Sequence, residues 1–356
     1  MKSSGWLVAL LCVVAVPAIA QYTEPTVPNL RSSSYGGSGV TITLQGWNAA
    51  NDGGGGVLYS DSTAGTCTTS GNGTISGSNL SLITGIYGPF NWSDVALNTL
   101  INSTGFGITN DRVVAFNAAS GTITLSVAAA SSGSGVSFSA NGDNGGTSFV
   151  PTTSYCFHRV SQTYSQFEWG TYGDCCGIHA HPDTFPLQNW INAPQSHIAV
   201  PGNFEITAPL TCEGAIGSFS GPPRSGVNET GIELPLFMIT ANNSSGAFTG
   251  NAMLEMDNTA GATGGCAIHN VGLIADGSGN FDTVDAYGQA DLVDGSFLYG
   301  GNVNFHCMGA GEDVQLFDSF VTSSVNDDID SNCPDFRVER NVIAQAGSGA
   351  NNSAVG

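Results

Sequence analysis

The chain has 356 residues, a formal charge of −21, and only 7 lysines and arginines against 28 acidic residues. Such a surface repels phosphate backbones and anionic bilayers, so nucleic acid and membrane surfaces are excluded as partners. With 41% hydrophobic residues and 49 glycines, the composition is that of a turn-rich β protein rather than a disordered chain.

Lys2 precedes an apolar run from Trp6 to Val16, and Ala18-Ile19-Ala20 supplies a small-residue cleavage pattern. Residues 1–20 read as a secretory signal peptide, and the run is shorter than the ~20 apolar residues of a membrane helix. The predicted location is therefore secreted, extracellular or periplasmic. Removing Lys2 takes the charge from −21 to −22 and leaves no lysine. Cys12 leaves with the same segment. Eight cysteines remain, an even count that permits disulfides without specifying their pairing.

Residues 21–40 are rich in Pro, Ser and Gly and read as a linker. Residues 41–150 read as a β-rich N-terminal module of short strands between Gly/Ser/Asn turns: "TITL", "GGVLYS", "RVVAFN" and "GTITLSVAA". "WSDVALNTLI" (92–101), with Ser93 as N-cap, is the one helix-like element. "SSGSGVSFSANGDNGGTS" (131–148) reads as the exit from the module.

Residues 167–214 have a different character. Gly173-Asp174 reads as a turn, Asp183 as a helix N-cap, and Phe185, Leu187, Trp190 and Ile191 as the apolar face of a short helix broken by Pro194. "HIAV" and "FEIT" follow as strands around a Pro201-Gly202 turn. This order resembles the opening of pectate-lyase-superfamily proteins, which are single-stranded right-handed parallel β-helices. That opening looks like G-D-G-x-T-D-D-T, then L-Q-x-W-I, then V-x-x-P-x-G-x-Y. The matching residues are Gly173-Asp174, Asp183-Thr184, Leu187-Gln188-Asn189-Trp190-Ile191 and Val200-Pro201-Gly202-Asn203-Phe204. "CCGIHAHP" departs from the family's short link. The resemblance implies a cap on the first coil and does not report activity.

An internal repeat follows. "NVGL" at 270, "SFLY" at 296, "SFVT" at 319 and "NVIA" at 341 are spaced 26, 23 and 22 residues. A second column places Val284, Cys307 and Ile329 in register, at spacings of 23 and 22. Coils of this length without crossover helices predict an all-β parallel solenoid from residue 165 to 356. The next repeat would fall near 363–364, past Gly356, so the sequence reads as a truncated product or as a chain capped by a partner.

Candidate chemistry centres on "NDDIDS". With Val284, Cys307 and Ile329 inward, strand alternation turns Thr283, His306 and Asp328 outward in one row and Asp285, Met308 and Asp330 in the other. Rungs lie ~4.8 Å apart and same-face neighbours ~6.6 Å apart. Asp328 and Asp330 then suit the ~6.5–9.5 Å carboxyl separation of inverting glycosidases. The catalytic candidates are Asp327, Asp328 and Asp330, with His306, Arg337 and Asp285 placed to bind substrate. Calcium at Asp282, Asp285, Asp328 and Asp330 is a second reading, and solvated turn aspartates a third. "NDD" (326–328) and "NFD" (280–282) resemble the aspartate motifs of polygalacturonase-like β-helices, although the later G-H-G and R-I-K motifs of that family are absent. The expected function is cleavage of an extracellular polysaccharide, by hydrolysis or elimination. The alternative is a non-catalytic carbohydrate-binding or surface protein.

Overall fold

The computed structural model describes residues 21–344 apart from 65–66, 89, 91–94, 96–98, 118–120, 144–145, 153–154, 161–162, 177–180, 194–195, 198, 215–216, 224–233, 242–247, 258–264, 276–279 and 309–311. Residues 1–20, expected as a signal peptide, and most of the helix expected at 92–101 lie outside the described residues.

Residues 21–40 are not a linker. Gln21–Glu24 pairs in parallel with Thr41–Leu44, and the helix Val27–Ser32 buries Val27 and Leu30 against Ile42, Leu44, Leu58, Phe149 and Phe157. Thr26 starts that helix by accepting the Asn29 N–H, the N-cap arrangement that satisfies one orphan donor of the first turn. The sheet continues through Gly56–Ala64 and Tyr155–Arg159 to Ser148–Phe149.

Between these strands the chain closes a six-stranded antiparallel barrel. Its order is Thr68–Ser76, Asn79–Tyr87, Thr122–Leu125, Ile108–Asn117, Leu100–Ser103 and Gly133–Asn141. Ile75, Ile83, Ile101, Val113, Ile123 and Phe138 fill it. The stretch expected as the exit at 131–148 is instead its closing strand, since Phe138 and Ala140 point inward between outward serines.

The remainder is a parallel β-helix of three sheets. The first sheet runs Gly202–Ile206, Phe237–Ala241, Val271–Ile274, Phe297–Tyr299, Phe320–Thr322 and Val342–Ala344. The second runs Leu210–Cys212, Ala252–Met256, Asp282–Ala286, Val303–Cys307 and Asp327–Ser331. The third runs Phe219–Ser220, Ala267–His269, Leu292–Asp294, Val314–Phe317 and Phe336–Glu339. The helix Thr184–Ile191 covers the first coil with Leu187, Trp190 and Ile191. Its side chains also complete the open backbone edge: Gln188 exchanges two hydrogen bonds with the Thr211 backbone, and Thr184 accepts the Thr207 N–H. Asp183 precedes this helix but does not cap it. Its carboxylate instead accepts from Tyr172 N (2.6 Å) and Gly173 N (3.2 Å), tying down the loop.

The corners repeat as the strands do. The turn from third to first sheet is a single left-handed residue in four successive coils: Asn270, Gly295, Asp318 and Arg340. Asn and Asp tolerate that conformation because their short side chains bond locally. From first to second sheet the corner holds a buried polar ladder. Asn304 Oδ1 accepts from Thr283 Oγ1 and Gly301 N, while its Nδ2 donates to Thr322 O and Asp328 Oδ1. Replacing Asn304 with leucine strands several buried groups together. At about 1–3 kcal/mol for a buried unsatisfied group, the expected loss is about 2–4 kcal/mol, read as a lower urea midpoint with an unchanged slope.

The repeat spacings need correction. The second-sheet core column is Leu254, Val284, Phe305 and Ile329, not Val284, Cys307 and Ile329. A slip of two residues keeps every side chain on its own face, so apolar pattern alone does not exclude it. In the first sheet Leu273 aligns with Leu298, a spacing of 25 rather than 26. All eight cysteines among the described residues form disulfides, Cys67–Cys156, Cys175–Cys176, Cys212–Cys266 and Cys307–Cys333.

Candidate active site

The corrected register decides which side chains meet. Outward positions of the second sheet stack as Glu255, Asp285, His306 and Asp330, one per rung. The positions on the other side of the core column stack as Thr283, Asn304 and Asp328, and they enter the corner ladder. Asp328 is therefore fully buried, accepting from Asn304 Nδ2 (2.9 Å) and Ser324 N (3.3 Å). Burial pushes its carboxyl upward. It does not project beside Asp330, which removes it from the predicted catalytic pair and from an outward calcium cage.

Asp282, Asp285, His306 and Asp330 form one cluster. Asp282 opens its strand, and its Oδ1 accepts from Val303 N (2.9 Å) and Asn302 Nδ2 (3.0 Å). Its Oδ2 lies 3.0 Å from His306 Nδ1, and Asp285 Oδ1 lies 3.7 Å from the same nitrogen. Across the ring, His306 Nε2 faces Asp330 Oδ2 at 3.8 Å. Tyr287 donates to Asp285 Oδ2 (3.3 Å). Exposure rises along the row: the side chains of Asp285, Asp282, His306 and Asp330 are 4%, 12%, 18% and 38% exposed.

The electrostatics separate the two neighbouring carboxyls. Burial, and then the charge of Asp282, push Asp285 up to about 7. Burial also opposes ionisation of Asp282, but the hydrogen bonds from His306, Val303 N and Asn302 outweigh it and hold that carboxyl below its ordinary value. His306 is raised, chiefly by its bond to Asp282 and against its burial, with further help from the charges of Asp285 and Asp330. Burial and the charges of Asp285 and Glu255 push Tyr287 up to about 12. Asp285 thus holds its proton to higher pH than Asp282, the division expected of two carboxyls sharing one site. Asp285 Oδ1 and His306 Nε2 are buried and have no hydrogen-bond partner among the described residues.

The remaining predicted residues fall elsewhere. Arg337 lies on the third sheet, aligned with Gln315, and does not join the second-sheet row. Asp327 opens its strand opposite Val303 and is half-buried. Among the described residues, one oxygen each of Asp282 and Asp285 and one nitrogen of His306 lie within 4.8 Å of one another. Two carboxylates and an imidazole are not the all-oxygen shell that calcium takes, so the predicted calcium set of Asp282, Asp285, Asp328 and Asp330 does not assemble. The sequence reading missed Asn302, Asn304 and Tyr287. The alternation in "NVNFHC" carried the signal, because it puts two amides and His306 at every second position.

No protein-family model and no curated protein matches the chain. Solved structures do match it. Full-length tailspike protein 2 from Escherichia coli O157:H7 bacteriophage CAB120 aligns at a TM-score of 0.50 and 13% identity, over 93% of this chain and 38% of that one. The enzymatically active domain of bacteriophage CBA120 tailspike protein 2 gives the same score and identity, over 93% of this chain and 42% of that one. The chain spans less than half the length of these proteins. At such low identity the likeness is one of fold, and it agrees with the parallel β-helix described above.

Proposed function

We propose that this chain is an exported polysaccharide hydrolase of the β-helix type, with Asp285 as general acid and Asp330 as general base. The observation that carries this is the buried Asp285 two rungs from the more exposed Asp330, with His306 between them, and burial and the Asp282 charge raise the Asp285 carboxyl to about 7. Two rungs are ~9.6 Å of backbone, and both side chains lean toward the imidazole. The carboxyls therefore approach the ~6.5–9.5 Å range of inverting glycosidases.

In this scheme Asp285 protonates the departing glycosidic oxygen while Asp330 takes a proton from the attacking water on the opposite face of the sugar. Asp282 positions His306, and the imidazole keeps the two acids apart. Elimination is the weaker reading, because it calls for a basic side chain beside the acids and Arg337 lies on another sheet. Membership of the pectate-lyase superfamily rests on the 173–204 motifs, and export on the reading of residues 1–20.

The test is incubation with a polysaccharide panel, scored for new reducing ends, for unsaturated products and for anomeric configuration by NMR. Reducing ends of inverted configuration are expected from the unsubstituted chain. Unsaturated products would identify a lyase. No product from any glycan, with glycan binding retained, would make the protein a binder and refute the hydrolase.

A further inference from the structure

On the outside of the barrel lies a cleft of about 660 Å3, within the ~300–1,000 Å3 of small-ligand sites. Its floor is one cross-strand rung: Ser139 pairs with Ser70 on one side and with Asn102 on the other. Alternation explains the polar face, because Phe138, Ala140 and Ile101 take the inward positions and fill the barrel. None of the twelve residues lining the cleft is charged, in a chain with 28 acidic residues.

The wall of the cleft is the tight turn after Leu100–Ser103, and it is pinned in place. Phe106 at its tip is fully buried. Ser103 Oγ donates to Ser137 O (2.7 Å), Ser131 Oγ to Gly105 O (2.9 Å) and Ser131 N to Phe106 O (3.2 Å). Two glycines permit this fit. A Cβ on Gly105 would lie 2.4 Å from Val136 Cγ1, and Gly107 has a φ of +65°. A wall held this way costs a ligand little ordering entropy.

We propose that this cleft is a second glycan site, separate from the β-helix row, and that it takes a neutral oligosaccharide. Hydroxyl and amide groups on adjacent strands, ~4.8 Å apart, can each donate to and accept from sugar hydroxyls, at a spacing on the scale of one pyranose ring. Val136 offers an apolar contact for the C–H face of that ring. The lining holds no cation for a carboxylated or sulfated sugar, and the net negative charge of the chain repels one.

The test uses the full chain carrying Asp285→Asn, so that ligand is not consumed. Malto-, cello- and laminari-oligosaccharides and oligogalacturonate are titrated separately by calorimetry. Saturable binding of at least one neutral series is expected, and any binding of oligogalacturonate should be untouched by substitutions in the cleft. Ser139→Arg, which fills the floor, and Thr104→Trp, on the exposed turn, should each weaken it by about tenfold or more, a change of ~1.4 kcal/mol. Circular dichroism checks that each variant is folded. The proposal is overturned if no neutral series binds, or if both substitutions leave affinity unchanged. Failure of the hydrolase assignment would appear as absent cleavage by the unsubstituted chain and would leave this binding result intact.

Discussion

Replacing Asp285 with asparagine is expected to lower glycan turnover by about 10²–10⁴-fold, the contribution typical of a positioned general acid, with little change in glycan affinity. Asparagine keeps the shape and still accepts from Tyr287, but it has no proton to give the leaving oxygen. The pH profile carries the sharper form of the prediction. Asp285 must be protonated to act, and it is held up to about 7 by burial and by the charge of Asp282. Activity should therefore persist through mildly acidic pH and fall as pH rises past about 7. Asp282→Asn removes the neighbouring charge, so the alkaline limb should move to lower pH. Asp328→Asn is the contrast: its place in the Thr283–Asn304 ladder makes its effect one of stability, and the folded fraction should keep its specific activity. If Asp328→Asn abolished turnover in a folded chain while Asp285→Asn did not, the corrected site would be wrong.

How the sequence misled on Asp328 has a physical cause. Alternation in "DDIDS" correctly turned Ile329 inward, and the coil length correctly announced a solenoid. A strand gives no information on which rung neighbour lies opposite, because a slip of two residues preserves every in–out assignment. Pairing Ile329 with Cys307 rather than Phe305 set His306 beside Asp328, when its partner is Asp330. Irregular turns decide such registers, and Gly300 takes a positive φ in one of them. The same blindness affects position at a corner. Asp328 and Asp330 look equivalent in the sequence, yet one enters the bend and bonds to Asn304 while the other meets solvent. In the barrel, Thr68–Ser76 escaped notice because its residues are Thr, Ser, Gly and Asn apart from Ile75, a composition that reads as loop. What makes it a strand is closure against Gly133–Asn141.

Stability should fall, not rise, as pH increases from about 4 to about 7, and Asp257→Asn should reduce that slope. Asp257 and Asp291 are both buried at the corner between the second and third sheets. Asp257 accepts from Gly214 N, and Asp291 accepts from Gly288 N (2.9 Å) and Cys266 N (3.0 Å). Asp257 Oδ2 makes no hydrogen bond to any donor, and Gly288 leaves it room, since a Cβ there would come within 2.4 Å of it. Burial, with the charge of Asp257 adding to it and the two backbone amides opposing it, pushes Asp291 up to about 7. A carboxyl near 4 when unfolded and near 7 when folded binds more protons in the native state throughout that window. Unfolding free energy then decreases with pH across it, by on the order of 3 kcal/mol for one such group, and levels off above the folded value. Asp285 and Asp183, raised to about 7 and about 6, act in the same direction. Asp282 and Asp174 are lowered, so their contributions change only below the unfolded value near 4. Asparagine at 257 still accepts from Gly214 through its amide oxygen, and it removes the charge that helps to raise Asp291. Urea unfolding at pH 5 and pH 8 should therefore show the variant gaining on the unsubstituted chain only at the higher pH. An equal shift at both pH values would mean that the charge of Asp257 does not act on Asp291.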